Sequence, residues 1–176
     1  MKPGPDLPPS NAARTAPGAV AGRSPIDGNG LFAARAFEAD ESIVAYTGAV
    51  LPNGRSCADD RYLLEIDAET WIDGGRSESP ARFVNHGCEP NCELILEDGV
   101  VWLKSARAID AGEELLVDYG YRPREAIGRR CRCGSPRCCG YVVGRPWRAE
   151  LFRLLAHLRR TRSAGGPGSV SRWGDD

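Results

Sequence analysis

Three cysteines near the C-terminal end of the chain have spacing typical of metal ligands. The segment CRCGSPRCCG, residues 131–140, holds four of the seven cysteines in the sequence. Cys131, Cys133 and Cys138 follow the pattern CxCxxxxC, in which a glycine-containing turn lets three thiolates converge. Three sulfur ligands leave a tetrahedral zinc ion one ligand short, so this segment predicts a zinc site completed from elsewhere in the chain.

The fourth zinc ligand is expected to be a cysteine far from this segment in sequence. Cys88, in the motif NHGCEPNC, is the best candidate, and Cys92 and Cys139 are the alternatives. We expect reduced thiols because the cysteine count is odd and the N-terminus MKPGPDLPPSNAARTAPG lacks the apolar block of a secretory signal. Cys57 stands apart from both motifs and is not expected to bind the metal.

A second candidate site is SPIDGNGLFA, residues 24–33, in which Gly28 and Gly30 flank Asn29. Two glycines let a ligand approach the bare backbone, which suits the polar tail of a cofactor. The segment also satisfies the dinucleotide pattern GxGxxA, but that loop requires a buried strand before it and a helix after it. Because a proline-rich leader precedes it and the strand-like LFAARAF follows, the pattern predicts a turn instead.

The elements that position these residues are mostly short strands. Apolar runs separated by turn residues predict strands at 30–33, 42–46, 62–66, 70–72, 100–104 and 115–117. Turn sequences such as EDG at 97–99 are typical of hairpins. No βαβ alternation is present, so the fold class is expected to be mainly β.

The two ends of the chain differ from this β region. Residues 1–22 contain five prolines and are expected to be a disordered leader. A C-terminal amphipathic, basic helix is predicted over 145–162, opening at Pro146, and residues 163–176 are expected to be a flexible tail. The apolar face of this helix comprises Trp147, Leu151, Leu154, Leu155 and Leu158.

Charge is segregated along a chain that is otherwise ordinary in composition. The 176 residues are 41% hydrophobic, and no apolar run is long enough to span a membrane. A net charge of −1 conceals a net of −12 over residues 24–120 and +9 over residues 121–176. The acidic part would attract a basic substrate, and the basic part would favour nucleic acid or an acidic protein surface.

Five motifs, in order, resemble a known family. They are GxG at 28–30, YTG at 46–48, RFVNHGCEPN at 82–91, GEELLVDYGY at 112–121 and the cysteine motif at 131–138. Together they resemble the SET-domain protein-lysine methyltransferases that carry a zinc-binding post-SET segment. The resemblance implies a SET domain at 23–122, a post-SET zinc segment at 123–144, and a β-clip of short twisted sheets with a pseudoknot.

The resemblance also implies a reaction and the residues that perform it. It implies transfer of a methyl group from S-adenosylmethionine to the ε-amine of a lysine in a basic protein or peptide, such as a histone or histone-like protein. Tyr119 is then the essential active-site tyrosine, and Tyr46 and Tyr121 line the lysine channel. The implied cofactor-binding residues are Gly28, Asn29, Gly30, Leu31, Arg82, Asn85, His86, Tyr119 and Tyr141. The implied zinc ligands are Cys88, Cys131, Cys133 and Cys138.

Several expectations accompany this interpretation. Arg82 and Glu114 are expected to form an ion pair that holds the pseudoknot together. Leu94 and Val117 stand where the family often has Tyr or Phe, so the number of methyl groups transferred is left open. The alternative function is a non-catalytic zinc-containing module that binds chromatin, nucleic acid or a protein partner, and a third is methylation of RNA or a small molecule. A cytoplasmic or chromatin-associated protein with no membrane partner is expected.

Overall fold

The chain folds into short strands followed by two C-terminal helices. The computed structural model describes residues 18–52 and 60–164, and for residues 60 and 162–164 it describes the backbone alone. The strands within these ranges are β1 (Ala19–Arg23), β2 (Asn29–Ala33), β3 (Ser42–Tyr46), β4 (Ala49–Pro52), β5 (Leu63–Glu65), β6 (Thr70–Asp73), β7 (Asn85–His86), β8 (Cys92–Glu97), β9 (Val100–Ser105) and β10 (Glu114–Val117). The helices are α1 (Pro123–Ala126) and α2 (Arg148–Ala164), and short 3-10 turns lie at Asp60–Tyr62, Pro80–Phe83 and Arg145–Trp147.

Three small sheets share these strands. Their strand orders are β1-β2-β10-β7, β3-β9-β8 and β4-β6-β5. Strand β7 pairs with β10 in parallel, with Asn85 opposite Leu116 and His86 opposite Val117. This pairing places the segment that carries the NH motif beside the strand that leads into DYGY, although the two are some thirty residues apart in sequence.

One apolar core joins the sheets. Side chains from strands of different sheets, such as Leu31, Ile43, Leu103 and Leu115, have no exposed surface and belong to one cluster. Complete burial of such a side chain stabilises the fold by about 1.5–3 kcal/mol. Strands β2 and β10, whose ends carry the site residues, are therefore anchored at their centres.

The expected mainly β fold is confirmed. Each of the six predicted strands has a counterpart in the structure, in β2, β3, β5, β6, β9 and β10. The predicted EDG turn joins β8 to β9, and Asp98 and Gly99 both have positive φ values, 48° and 75°. Positive φ at both central residues is the type I′ geometry that matches the twist of a hairpin.

The disordered leader predicted over residues 1–22 overlaps a strand. Residues 19–22 belong to β1, which pairs with β2 along its whole length, whereas residues 1–17 lie outside the described residues. The sequence AVAGR did not predict this strand, because β1 lies at the edge of its sheet and has no buried apolar face. Val20, for example, is 54% exposed, and the strand is held by backbone pairing with β2.

The C-terminal helix packs on the domain through part of its predicted face. Leu151 is fully buried against Ala126 and Val143, with Leu155 half-buried beside them. Leu158, further along the predicted apolar face, remains 38% exposed. The helix continues to Ala164, two residues beyond its predicted end, and the remainder of the expected tail lies outside the described residues. None of the described helices combines the length and the apolar character needed to cross a membrane.

Candidate active site and metal centre

The three predicted channel tyrosines line one cavity of about 550 Å³. Tyr46, at the end of β3, is held by a hydrogen bond in which its hydroxyl donates to the carbonyl of Tyr62 at 2.7 Å. Tyr119 and Tyr121 follow β10, and their ring centroids lie 5.6 Å apart. Apolar side chains complete much of the wall: Leu63, Leu64, Trp71, Val84, Leu94 and Val117. Six charged residues also line this cavity: Arg61, Glu65, Arg82, Asp118, Arg122 and Glu125. Its aromatic and apolar part would hold the stem of a long side chain, and its carboxylates would attract a basic one.

Tyr119 is fixed at both its backbone and its hydroxyl. Its hydroxyl donates to the carbonyl of Val84 at 2.9 Å, and its backbone N–H donates to Nδ1 of His86 at 3.2 Å. The residue is 40% exposed overall, but its phenol has lost much of its surrounding water, and this loss is the main cause that raises its pKa above the usual value. Negative charge on Tyr121 or Asp27 raises the pKa of Tyr119 further. The phenol is therefore neutral near pH 7 and acts as a hydrogen-bonding group rather than as a base.

Tyr119 also lines two further cavities. One, of about 390 Å³, is lined by Ile26, Asp27, Asn85, His86, Tyr119, Gly128, Arg130, Cys131, Arg132 and Val142. The other, of about 300 Å³, is lined by Asp27, Gly28, Asn29, Arg61, Tyr62, Arg82, Phe83, Val84, Asn85, Tyr119, Tyr121 and Arg129. Asp27, Asn85 and Tyr119 line both of these cavities, and Tyr119 also lines the tyrosine cavity. Tyr119 therefore forms part of the wall of all three cavities.

The GxG turn is held against β7 and β10 by side-chain hydrogen bonds. The amide nitrogen of Asn85 donates to the carbonyl of Asn29 at 3.1 Å and to Oε1 of Glu114 at 3.0 Å. The same carboxylate oxygen accepts from the hydroxyl of Ser24 at 2.8 Å. A methyl group at Gly30 would collide with this carboxylate and with Ser24 Cβ, 2.9 Å away, so an alanine there would force both side chains to move.

The expected ion pair between Arg82 and Glu114 is wrong. The guanidinium of Arg82 donates to the carbonyls of Gly75 at 3.0 Å and Ser77 at 2.7 Å, and it lies 4.7 Å from the ring centroid of Phe83. Glu114 faces Ser24 and Asn85 instead. Both of these bonds come from Nη1, and the buried Nε has no hydrogen-bond partner among the described residues. The spacing of the two motifs does not show which partners Arg82 takes.

His86 is buried and neutral. Burial lowers its pKa, and the positive charge of Arg148 lowers it further, whereas the charge of Asp118 opposes this shift. Nδ1 accepts from the Tyr119 backbone, so the imidazole proton lies on Nε2, which is 3.8 Å from the Cys88 sulfur. The 3.8 Å approach of Asp118 to Nδ1 is therefore not an ion pair in the neutral state.

The four predicted zinc ligands come together in space. The Sγ atoms of Cys88, Cys131, Cys133 and Cys138 all lie within 4.8 Å of one another, and Cys88 Sγ is 3.8 Å from Cys131 Sγ and 3.9 Å from Cys138 Sγ. Zn–S bonds of about 2.3 Å in a tetrahedron require S···S distances of about 3.8 Å. Burial raises the pKa of the Cys88 and Cys131 thiols, so a cation is needed to hold them as thiolates. The cluster therefore fits zinc in both geometry and donor set.

The two alternative zinc ligands lie outside this cluster. Cys139 Sγ approaches Cys88 Sγ at 3.7 Å, but its thiol donates to the carbonyl of Tyr141 at 3.3 Å. Cys92 is buried in the main core, where burial raises the pKa of its thiol to about 12. Cys57 lies outside the described residues.

Three predicted cofactor residues, Gly30, Leu31 and Tyr141, are not among the residues that line these cavities. The ring of Tyr141 packs edge-on against Phe152 of α2 at a centroid distance of 6.4 Å, and the Arg130 guanidinium covers it at 4.5 Å. Tyr141 lines neither cavity that meets at Asn85, because α2 draws its ring into the small C-terminal core. The side chain of Leu31 is fully buried in the main core, so it too contributes nothing to the cavity walls.

Other cavity residues were missed by the sequence analysis. Asp27, which precedes the first glycine of GxG, lines both cavities that meet at Asn85. Its position in the motif was a signal available from the sequence. Arg129 and Arg130 directly precede Cys131 of the cysteine motif, whereas Arg61 comes from a segment with no motif of its own. All three line the cavities.

The sequence of this chain is similar to those of known proteins. A family model described as the SET domain matches residues 28–120. The chain is 43% identical over 51% of its length to "Histone-lysine N-methyltransferase ash1" of Drosophila melanogaster, and 32% identical over 78% of its length to "Histone-lysine N-methyltransferase ATXR7" of Arabidopsis thaliana. It spans 4% and 11% of the lengths of these two relatives.

A solved structure is also similar to this chain. KRYPTONITE, in complex with mCHH DNA, an H3(1-15) peptide and SAH, is similar with a TM-score of 0.60 and 29% identity, over 69% of this chain and 29% of that one.

Proposed function

This chain belongs to the SET-domain family, and on that premise we propose that it transfers a methyl group from S-adenosylmethionine to the ε-amine of a lysine in a protein substrate. The observation that carries the proposal is the position of Tyr119 in the walls of all three cavities. A methyltransferase needs its donor and its amine to meet at one point, and a residue that lines all three cavities is a candidate for that point. The relatives named as histone-lysine methyltransferases support the reaction class.

The cavities that meet at Asn85 fit the methyl donor. Gly28 and Asn29 present backbone, Arg82 presents a guanidinium, and His86 and Val142 supply flat or apolar wall for a base. S-adenosylmethionine, when bound there, supplies a methyl group on a sulfonium sulfur. Asn85 fixes the GxG turn through the Asn29 carbonyl, and this preserves the shape of the cavity before the donor binds.

The tyrosine cavity fits the acceptor lysine. An amine attacks only as a neutral base, and desolvation in the aromatic and apolar part of this cavity disfavours the charged ammonium. The neutral phenol of Tyr119 orients the amine lone pair, and Tyr46 closes the channel wall through its bond to the Tyr62 carbonyl. Because these phenols have raised pKa values and stay protonated, the amine proton leaves to water rather than to a tyrosine.

The cysteine cluster supports the donor cavity. Cys88, Cys131, Cys133 and Cys138 would hold a zinc ion, and Cys131 is also part of the cavity wall. A structural zinc with four thiolates has no open position for chemistry, so its role is to fix the 128–142 segment against the SET domain. We place this metal outside the reaction itself.

The substrate we propose is a basic, lysine-bearing protein, with histones or histone-like proteins as the leading class. The net charge of −12 over residues 24–120 favours encounter with such a substrate. The basic C-terminal segment is proposed to contact nucleic acid near that substrate, which would place the protein with chromatin or its equivalent. The DNA and H3 peptide bound to KRYPTONITE support both parts of the proposal by analogy.

Incubation with isotopically labelled S-adenosylmethionine and a panel of basic proteins tests this function. The panel includes histones, a bacterial histone-like protein and an acidic protein as the negative substrate. We expect label on lysine in at least one basic protein, and Tyr119→Phe should lower the rate by about 100-fold, the scale of one positioned catalytic group. Tyr141→Phe, a tyrosine outside the cavities, is the matched control.

The same assay separates the non-catalytic alternative. A binding module would bind S-adenosylmethionine, nucleic acid or a partner without transferring label to any member of the panel. Transfer that Tyr119→Phe does not affect would remove the central residue from the mechanism. Label on RNA instead of protein would favour the third alternative.

A further inference from the structure

Asp27 is an acidic residue that lines both cavities proposed for the methyl donor, those of 390 Å³ and 300 Å³. The proposed reaction gives it no role. It lines both cavities together with Asn85 and Tyr119. The residue is exposed, and the next residue, Gly28, has a φ of 45° that turns the chain at this point. Its backbone carbonyl accepts from Asn85 at 3.4 Å, which fixes the position of the residue.

The side chain of Asp27 is available to a ligand. Among the described residues, none donates a hydrogen bond to its carboxylate. Its charge nevertheless reaches the active site, because it contributes to raising the pKa of the Tyr119 phenol. The carboxylate therefore acts electrostatically on the place where the three cavities meet.

The other charged residues that line the 300 Å³ cavity with Asp27 are all arginines. Three guanidinium groups, those of Arg61, Arg82 and Arg129, line the same 300 Å³ cavity. They suit the carboxylate of an amino-acid ligand, but they repel a cation placed beside them. Asp27 is the acidic residue that faces this cavity among its described lining residues.

Resting on the proposed function, we propose that Asp27 recognises the positive sulfonium of S-adenosylmethionine and so makes the protein prefer the methyl donor to its demethylated product. S-adenosylhomocysteine has a neutral sulfur but shares the adenosyl group, the α-amine and the carboxylate with the donor. A carboxylate beside the sulfur therefore discriminates between the two, whereas a contact to any shared group does not. The consequence is weaker product inhibition.

Titration calorimetry of both ligands against the intact protein tests this proposal. Two unit charges at close range in a partly hydrated site interact by about 1 kcal/mol or more, so we expect Asp27→Asn to weaken S-adenosylmethionine binding about fivefold to tenfold. The affinity for S-adenosylhomocysteine should change less than about twofold, because its sulfur carries no charge. Asp27→Glu should keep most of the discrimination.

Matched controls separate this effect from structural damage. Asp40→Asn makes the same change at an exposed turn that lines none of the cavities, and it should leave both affinities unchanged. Thermal unfolding and bound metal should be the same in all variants. Added salt should reduce the preference of the unmodified protein for the donor, because it screens an exposed charge.

The possible outcomes are distinct. Equal weakening of both ligands by Asp27→Asn would assign the carboxylate to a shared group and overturn the inference while leaving the methyl-transfer function intact. Unchanged binding of both ligands would also overturn it. If the unmodified protein bound neither ligand, the proposed function itself would fail, and the inference would fail with it.

Discussion

At the residue scale, the site depends on how closely a few polar side chains approach backbone. Asn85 links the GxG turn to Glu114, and Glu114 occupies the space beside Gly30. Neither contact uses a charge pair, so the arrangement depends on shape and hydrogen-bond geometry. Substitutions that add a single carbon atom are therefore informative.

Gly30→Ala should disrupt the donor cavity. The added methyl would displace the Glu114 carboxylate, which also holds Asn85, so we expect S-adenosylmethionine affinity to fall by about tenfold or more, the equivalent of one lost hydrogen bond to a charged group. Calorimetry measures this change. Gly22→Ala on the paired strand β1 is the control, because its methyl would meet only the Phe32 ring edge at 3.2 Å. Equal losses in both variants would contradict the role given to Gly30.

Tyr46 should titrate at a higher pH than an exposed tyrosine. Burial is the main cause that raises its pKa above the usual value for a tyrosine, so in the folded state the neutral phenol is favoured. The unfolded chain loses this proton first, and the stability contributed by Tyr46 is therefore full below about pH 10 and falls as the pH rises further. Denaturant unfolding across this range should show a steeper alkaline loss for the unmodified protein than for Tyr46→Phe. Identical profiles would contradict the burial of the phenol.

Prediction from sequence at this scale was strong for residue identity and weak for partners. The motifs placed Tyr46, Tyr119 and Tyr121 in one channel, and the structure brings them to one cavity. They also suggested that Arg82 pairs with Glu114, and the structure shows different partners for both residues. The suggestion that Tyr141 covers the donor stays a prediction; its ring packs against Phe152. A motif specifies which side chain is present, whereas its partner depends on packing by distant segments.

At the element scale, the cysteine cluster should control the donor cavity. Cys131 and its neighbours form one wall of the 390 Å³ cavity, so removal of the metal would release that wall. We expect one zinc per protein, and Cys133→Ser should lose both the zinc and most S-adenosylmethionine binding, measured by elemental analysis and calorimetry. Cys139→Ser, next to the cluster but outside it, should retain both. Full donor binding without metal would contradict this coupling.

Helix α2 should stabilise the post-SET segment through one residue. Leu151 is fully buried against Ala126 and Val143, so Leu151→Ala should reduce the free energy of unfolding by about 2–5 kcal/mol. Leu158→Ala, the same change at a position 38% exposed, should reduce it by less than about 1 kcal/mol. Denaturant unfolding of the two variants gives both values, and equal losses would show that the helix does not pack as described.

The elements that the sequence revealed were those with an apolar face. Strands such as β3 and β9 were predicted because burial leaves alternating or continuous apolar residues. Four strands were not predicted, and two of them, β4 and β8, lie at sheet edges. The other two are β1, which is an exposed edge, and β7, which has two polar residues, Asn85 and His86. Strands β1 and β7 form because they pair with β2 and β10, and the local sequence of a segment does not show which strand lies beside it.

At the scale of the whole molecule, charge is divided between the acidic domain and its basic C-terminal segment. The net charges of −12 and +9 over residues 24–120 and 121–176 suit a protein that approaches a basic substrate held on nucleic acid. Removal of the C-terminal segment is a poor test of this idea, because Leu151 belongs to the core. Single surface arginines are better targets.

Arg160→Gln should weaken nucleic-acid binding without affecting the chemistry. Arg160 is exposed on α2, and the loss of one phosphate contact should lower the salt slope of DNA affinity by about one. Arg35→Gln, an exposed arginine on the acidic domain, is the control. Fluorescence anisotropy over a salt series measures the slope, and an unchanged slope for Arg160→Gln would remove α2 from the contact.

A crystal structure with S-adenosylhomocysteine bound would show whether a donor site and an amine site meet at Tyr119. We expect the adenosyl group in the cavity lined by His86 and Val142, with the sulfur beside the Tyr119 ring and open space continuing into the tyrosine cavity. An adenosyl group bound elsewhere, or a sulfur separated from the tyrosine cavity by a closed wall, would contradict it.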